Sequence, residues 1–220
     1  MRPGLLVILT LVTTLVFGQG HRRMFPGDVL VKVSPLNLLH PVMSSIDGGV
    51  SWFVSDRYAL QLKAGKKVGL LNFHEGFKHD GFKLLLEGQY YFRHPFYVAV
   101  EVGVQKNRFA DVMNYYPAPD ATESIRDEYS VRVERMTFVN KIGVMLSVSE
   151  RLSVDFCAGP GFQLQRRDIL DLEFDEDKGH HDTHEYYEWV RPPFAIRDSG
   201  GFWLTIGFNI NWKIVSARPF

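Results

Sequence analysis

From Phe202 to Ile214 every even-numbered residue is apolar: Phe202, Leu204, Ile206, Phe208, Ile210, Trp212 and Ile214. The odd positions from Thr205 onward are small, polar or charged, and include Asn209, Asn211 and Lys213. A period of two marks an extended strand with two unlike faces. The same alternation recurs upstream. Ile46, Val50, Trp52 and Val54 oppose Asp47, Gly49 and Ser51; Tyr58, Leu60, Leu62 and Ala64 oppose Gln61, Lys63 and Gly65. Phe82, Leu84, Leu86, Tyr90 and Phe92 oppose Lys83, Glu87 and Gln89, and Phe96 to Val104 repeats the pattern against Glu101, Gly103 and Gln105. A sixth strand sets Met136, Phe138, Ile142, Val144, Leu146 and Val148 against Arg135, Lys141, Gly143 and Ser147, with Asn140 the one misfit. Its upper end, Tyr129 to Val133, runs in the opposite phase, which predicts a β-bulge near Glu134. Leu152 to Leu164 gives a seventh strand. Val29, Val31 and Val33 give a weaker first one, with Leu36 and Leu38 in the other phase beyond Pro35.

The links between strands alternate in length. Ser55-Asp56-Arg57, Arg93-His94-Pro95 and Ser149-Glu150-Arg151 read as tight turns, whereas the segments 66–80, 109–128 and 166–199 read as long loops. Eight antiparallel strands with tight turns at one rim and long loops at the other predict an all-β fold, an eight-stranded antiparallel transmembrane β-barrel with periplasmic turns and outer loops. Trp52, Tyr58, Tyr90, Phe92, Phe96 and Trp212 all occupy the apolar face, and all but Trp212 lie close to a tight turn. They predict an aromatic girdle at one membrane interface.

Two resemblances sharpen this reading. Thr205-x-Gly207-x-x-Ile210-x-Trp212 resembles the polar-x-Gly-x-x-hydrophobic-x-aromatic signal by which the barrel assembly machinery reads the last strand of bacterial outer-membrane barrels. In that pattern a terminal Phe closes the strand, whereas here Val215 to Pro219 precede Phe220. From the first strand to Ile214 the chain resembles the small eight-stranded outer-membrane barrels of Gram-negative bacteria, OmpA-like or OmpX-like, and more closely their short families without an assigned function. The resemblance implies an outer-membrane location, with the membrane lipid and the assembly machinery as partners and an unknown extracellular partner for the loops. It is architectural and carries no catalytic residue.

Composition adds bounds. The 220 residues hold 25 basic and 25 acidic side chains, and no charge run suggests nucleic acid. Met1-Arg2 and the apolar run Leu5 to Phe17 read as a secretory signal peptide over 1–18, leaving 19–220 as one barrel domain. With Cys157 alone no internal disulfide forms, so a closed hydrogen-bonded wall must hold the chain together. Cys157 itself reads as an inert buried thiol.

If the even face meets lipid, the odd face lines a lumen holding Asp47, Lys63, Glu87, Glu101, Lys141 and Asp155 at similar distances from the tight turns. Glu87 and Glu101 would face each other across the hairpin centred on His94, with Lys63 and Lys141 on the flanking strands to neutralise them. An eight-stranded barrel is just wide enough for side chains to fill. The expectation is a plugged salt-bridge network; the other reading of the carboxylate pair is acid–base chemistry or proton transfer. In the last long loop His180 and His184 have helical spacing, and His181, Asp182 and Glu185 could add ligands for zinc or another divalent metal; a solvated acidic loop is the bland reading. No cofactor motif is present. The expected role is structural or adhesive through the outer loops, the alternatives being an outer-membrane lipid-modifying enzyme and a soluble lipocalin-like binder.

Overall fold

The computed structural model describes residues 24–35, 45–67, 78–117, 125–170, 179–182, 194–197 and 200–216. Their strands are β1 (Val29–Val33), β2 (Ser45–Phe53), β3 (Tyr58–Lys67), β4 (Lys78–Arg93), β5 (Phe96–Pro117), β6 (Ile125–Ser147), β7 (Leu152–Leu170), β8 (Gly179–Asp182), β9 (Phe194–Arg197) and β10 (Gly200–Val215). Strands β1 to β7 pair in sequence order, β7 pairs β10, and β10 returns to β1. The result is a closed antiparallel barrel of eight staves, with no free edge between them. Short β8 continues the sheet beside the far end of β5, and β9 lies beside the start of β10.

The registers fix the tilt. A ladder row that starts at Val31 passes through Val50, Leu62, Leu86, Val102, Phe138 and Phe162 and reaches β10 at Phe202, ten residues from Trp212, which pairs with Val31 directly. With about 4.8 Å between strands and about 3.4 Å per residue, that ten-residue stagger over eight strands tilts them by about 40° and gives a wall radius of about 8 Å. No open bore fits inside once inward side chains are added.

The two faces of this wall are the reverse of a soluble barrel's. Ile142 and Ile206 are 67% and 66% exposed on the outside, while Asn211 and Gln61 are 0% and 1% exposed inside. Outward apolar side chains continue round all eight staves, from Val31 and Val50 through Leu62, Leu86, Val102 and Phe138 to Leu204. In water such a surface would drive aggregation; in a bilayer it is the surface that acyl chains cover. A lipocalin-like binder needs an apolar interior and a polar exterior, so that alternative is corrected: the polar side chains are the ones inside.

The turns are built as their residues suggest. Ser55 Oγ accepts from the Arg57 and Tyr58 amides at 3.3 and 3.1 Å, and Ser149 Oγ accepts from Arg151 and Leu152 at 3.4 and 3.1 Å. A Ser-acid-Arg sequence therefore makes the same side-chain-bonded turn twice. β1 starts and β10 ends at this rim, because Val29 pairs with Val215 and with Trp52.

Three expectations change. The β-bulge near Glu134 is absent: β5 and β6 stay in one register from Phe96–Val144 to Tyr115–Ile125, and β6–β7 runs unshifted past Glu134. The phase change there is a change of surroundings, since Val133 is fully buried on the inward face while Glu134 faces out. Shifts occur instead between Val29 and Leu30 and between Tyr90 and Arg93. The segment 109–128 is mostly strand, β5 reaching Pro117 and β6 starting at Ile125. The segment 166–199 contains β8, β9 and the end of β7. Leu36, Leu38, the signal-peptide segment and Phe220 lie outside the described residues.

Candidate functional site in the barrel lumen

Side chains from four consecutive staves meet at the centre. Glu87 on β4 and Glu101 on β5 are directly opposed in the ladder. Lys63 on β3 and Lys141 on β6 close on them from either side. Lys141 Nζ lies 2.7 Å from Glu87 Oε2 and 2.6 Å from Glu101 Oε2; Lys63 Nζ lies 2.7 Å from Glu101 Oε2 and 3.5 Å from Glu87 Oε2. Each carboxylate therefore touches two ammonium groups, and the formal charge of the four sums to zero. Such closure is what burial demands, because an unpaired charge taken out of water costs several kcal/mol or more. Gln89 Nε2 also donates to Glu87 Oε1 at 2.6 Å, and Tyr91 Oη donates to Gln89 Oε1 at 3.0 Å, carrying the bonded chain toward the tight-turn end.

Asp47 and Asp155 do not join this ring. Asp155 on β7 receives Lys32 Nζ at 2.9 Å, Tyr97 Oη at 2.6 Å and Asn209 Nδ2 at 3.0 Å, from β1, β5 and β10. Ser34 Oγ then donates to Asn209 Oδ1 at 2.5 Å. Asp47 on β2 pairs with Lys83 on β4, across β3. Counting residues from the turns ranks depth along a strand but ignores which tilted strands converge, so six residues that share one depth by that count divide into three sets in the wall. Lys32, Lys83, Tyr97 and Asn209 join these sets, which residue counting does not reveal. Parity already put Lys83 and Asn209 on the inward face; Lys32 was hidden by the broken pattern at Pro35.

Below the charges the lumen is apolar. Phe53, Tyr91, Tyr97 and Met145 are 1%, 3%, 0% and 2% exposed, and Met24, from the segment before β1, packs with them. The Tyr91 ring lies 5.5 Å from Phe53 and 5.2 Å from Tyr97, centre to centre. Tyr97 lies over Gly143, where any Cβ would run into its ring. Asp28, fully buried beside this plug, takes the Phe25 amide at 3.0 Å and Lys213 Nζ at 2.8 Å, tying the entering chain to the last strand. Phe53, Tyr91, Tyr97 and Met145 all have lumen parity near tight turns, which is the signal in the chain for this plug.

The other candidates fall as follows. Trp52, Tyr58, Phe92, Phe96 and Trp212 are exposed outside and Tyr90 is half-buried there, with the Tyr58 and Tyr90 rings 5.0 Å apart. Thr205, Gly207, Ile210 and Trp212 lie on β10, the strand that closes the barrel against β1. His180 and His181 lie on strand β8, and His184 lies outside the described residues. Cys157 is buried with lumen parity.

A closed eight-stranded wall with an apolar exterior and a charged, filled interior defines a small transmembrane β-barrel of the outer-membrane class. No protein-family model matches the chain, and no curated protein matches it. Among solved structures it is similar to the N-terminal β-barrel domain of Pseudomonas aeruginosa OprF, at 12% identity over 88% of this chain and 100% of that one, with a TM-score of 0.36. It is similar to Acinetobacter baumannii CarO at 12% identity over 87% and 99% of the two chains, TM-score 0.42. The third is a major outer membrane protein of Thermus thermophilus, at 11% identity over 85% and 98%, TM-score 0.38. The class assignment rests on this chain's own registers and exposed faces.

Proposed function

We propose that the protein is a non-conducting, non-catalytic outer-membrane barrel whose work is structural or adhesive, with tight turns in the periplasm and the long β5–β6 hairpin presented outside. The observation that carries this reading is the filled lumen: three charge clusters and an aromatic plug occupy it, and the charges neutralise one another. The hairpin supports the second half. Beyond Val104 the next outward residues, Lys106 and Arg108, are charged, and the strand continues to Pro117, paired to Tyr115. At about 3.4 Å per residue and the same tilt, that carries it roughly 30 Å past the apolar band.

Two measurements test it. Cell fractionation should recover the mature chain in outer membranes with heat-modifiable migration in detergent; recovery as a folded monomer in the soluble periplasm overturns the membrane reading. Planar-bilayer recordings of purified protein should show no stable conductance, and a large, steady, water-filled current overturns the plug.

A further inference from the structure

Among the described residues, the apolar band of the outer wall has one polar interruption. Asn140 on β6 faces outward, exposed, and among the described residues no hydrogen bond is formed by its amide. Its cross-strand partner Val100 lies midway between Phe96 of the girdle and Lys106, the first charge above the apolar band. Asn140 is therefore held near the middle of the membrane. Acyl chains offer nothing to bond it, and a bare amide at that depth is costly.

The wall around it is hollow. In the same ladder row Gly88 on β4 pairs with Val100, and a Cβ built on Gly88 meets nothing within 4 Å. Next to Asn140 on the other side, the β6–β7 pairing lapses between Val139–Gly161 and Ile142–Ala158, where Pro160 has no N–H to donate. Tyr58, Leu60, Val98 and Ile142 rim the resulting hollow of about 820 Å³. An uncovered amide beside such a hollow is the composition of a protein–protein contact in a bilayer: a polar group to bond and a small residue to permit approach.

We propose that the β3–β6 wall is a self-association face, on which a second copy of this chain docks about a two-fold axis and the two Asn140 amides bond each other. The amide suits this occupant because it is both donor and acceptor, so two copies related by a two-fold axis satisfy one another with a single residue type. The Gly88 hollow receives apolar side chains from the partner's rim. The proposal rests on the membrane reading above, and heat-modifiable migration of each variant reports that reading separately from dimerisation.

The test uses the mature barrel refolded into phosphatidylcholine vesicles, with Cys157→Ser to remove the native thiol. A single Ile142→Cys should give a disulfide-linked dimer on mild oxidation, while Ile206→Cys, on β10 and outside the β3–β6 face, should stay monomeric. Without cysteines, Asn140→Leu should weaken self-association about tenfold at matched protein-to-lipid ratios, and Gly88→Leu, which puts a side chain into the hollow, should weaken it independently. Both variants replace exposed residues by a lipid-compatible one and should fold. A wild-type monomer at all ratios, equal cross-linking at Ile206→Cys, or unchanged dimerisation of both Leu variants overturns the proposal. So does cross-linking of Ile142→Cys in native membranes to a different protein alone. Failure of every variant to fold into vesicles would instead overturn the membrane reading.

Discussion

The two halves of β5 and β6 obey one parity and yet look like different proteins. Along the lower half the outward residues are Phe96, Val98, Val100, Val102 and Val104 on β5 and Met136, Phe138, Ile142 and Val144 on β6, with Asn140 the one polar exception. Along the upper half the outward residues are Lys106, Arg108, Arg132 and Glu134, with Lys106 and Glu134 paired at 2.8 Å, and an apolar Val133 faces inward. Nothing in the backbone changes between them, since the β5–β6 register is unbroken. What changes is the solvent outside the wall. Facing is a property of the pleat, and polarity follows whatever the face meets.

The contrast can be broken most sharply from the inside. Lys141→Ala strips two carboxylates of a buried partner and should cost about 3 to 5 kcal/mol, read as a shift in urea unfolding of the vesicle-bound barrel. Next comes the lower exterior, where Val100→Arg or Ile206→Arg puts a guanidinium near the membrane midplane at a cost of about 2 to 4 kcal/mol. Arg108 and Arg132 already occupy the equivalent face of the upper half, so equal stability of Val100→Arg and wild type would erase the boundary between the halves.

A smaller effect is expected at the junction of charge and plug. Tyr97→Phe keeps the ring against Gly143 but withdraws the hydroxyl from Asp155, and losing a hydrogen bond to a charged group should cost about 1.5 to 3 kcal/mol; Asp155 keeps Lys32 and Asn209, which argues for the lower end. The smallest change is Lys106→Ala, in an ion pair whose side chains are 56% and 37% exposed, worth about 0 to 1 kcal/mol. A loss there matching that of Lys141→Ala would mean that the upper half is as dry as the lower.

Much of this was legible in the chain because parity is local. Each residue's face follows from its neighbour's, so alternation over Phe202 to Ile214 or Tyr58 to Ala64 identified strands, inward charges and outward aromatics without any partner strand in view. The opposition of Glu87 and Glu101 was equally local, set by a hairpin whose turn lies between them. The phase change above Glu134 misled because it tracks the edge of the membrane, which no short window of sequence contains.

Pairing across the lumen was different in kind. Lys32 reaches Asp155 over the intervening β10, and Asp47 reaches Lys83 over β3, through a closure that staggers the wall by ten residues. Alternation along a strand is dictated by its own pleat, and so the sequence alone determined which residues face in. Which of them touch depended on tilt, closure and bore, quantities defined only when all eight strands stand together, and those the tertiary structure decided.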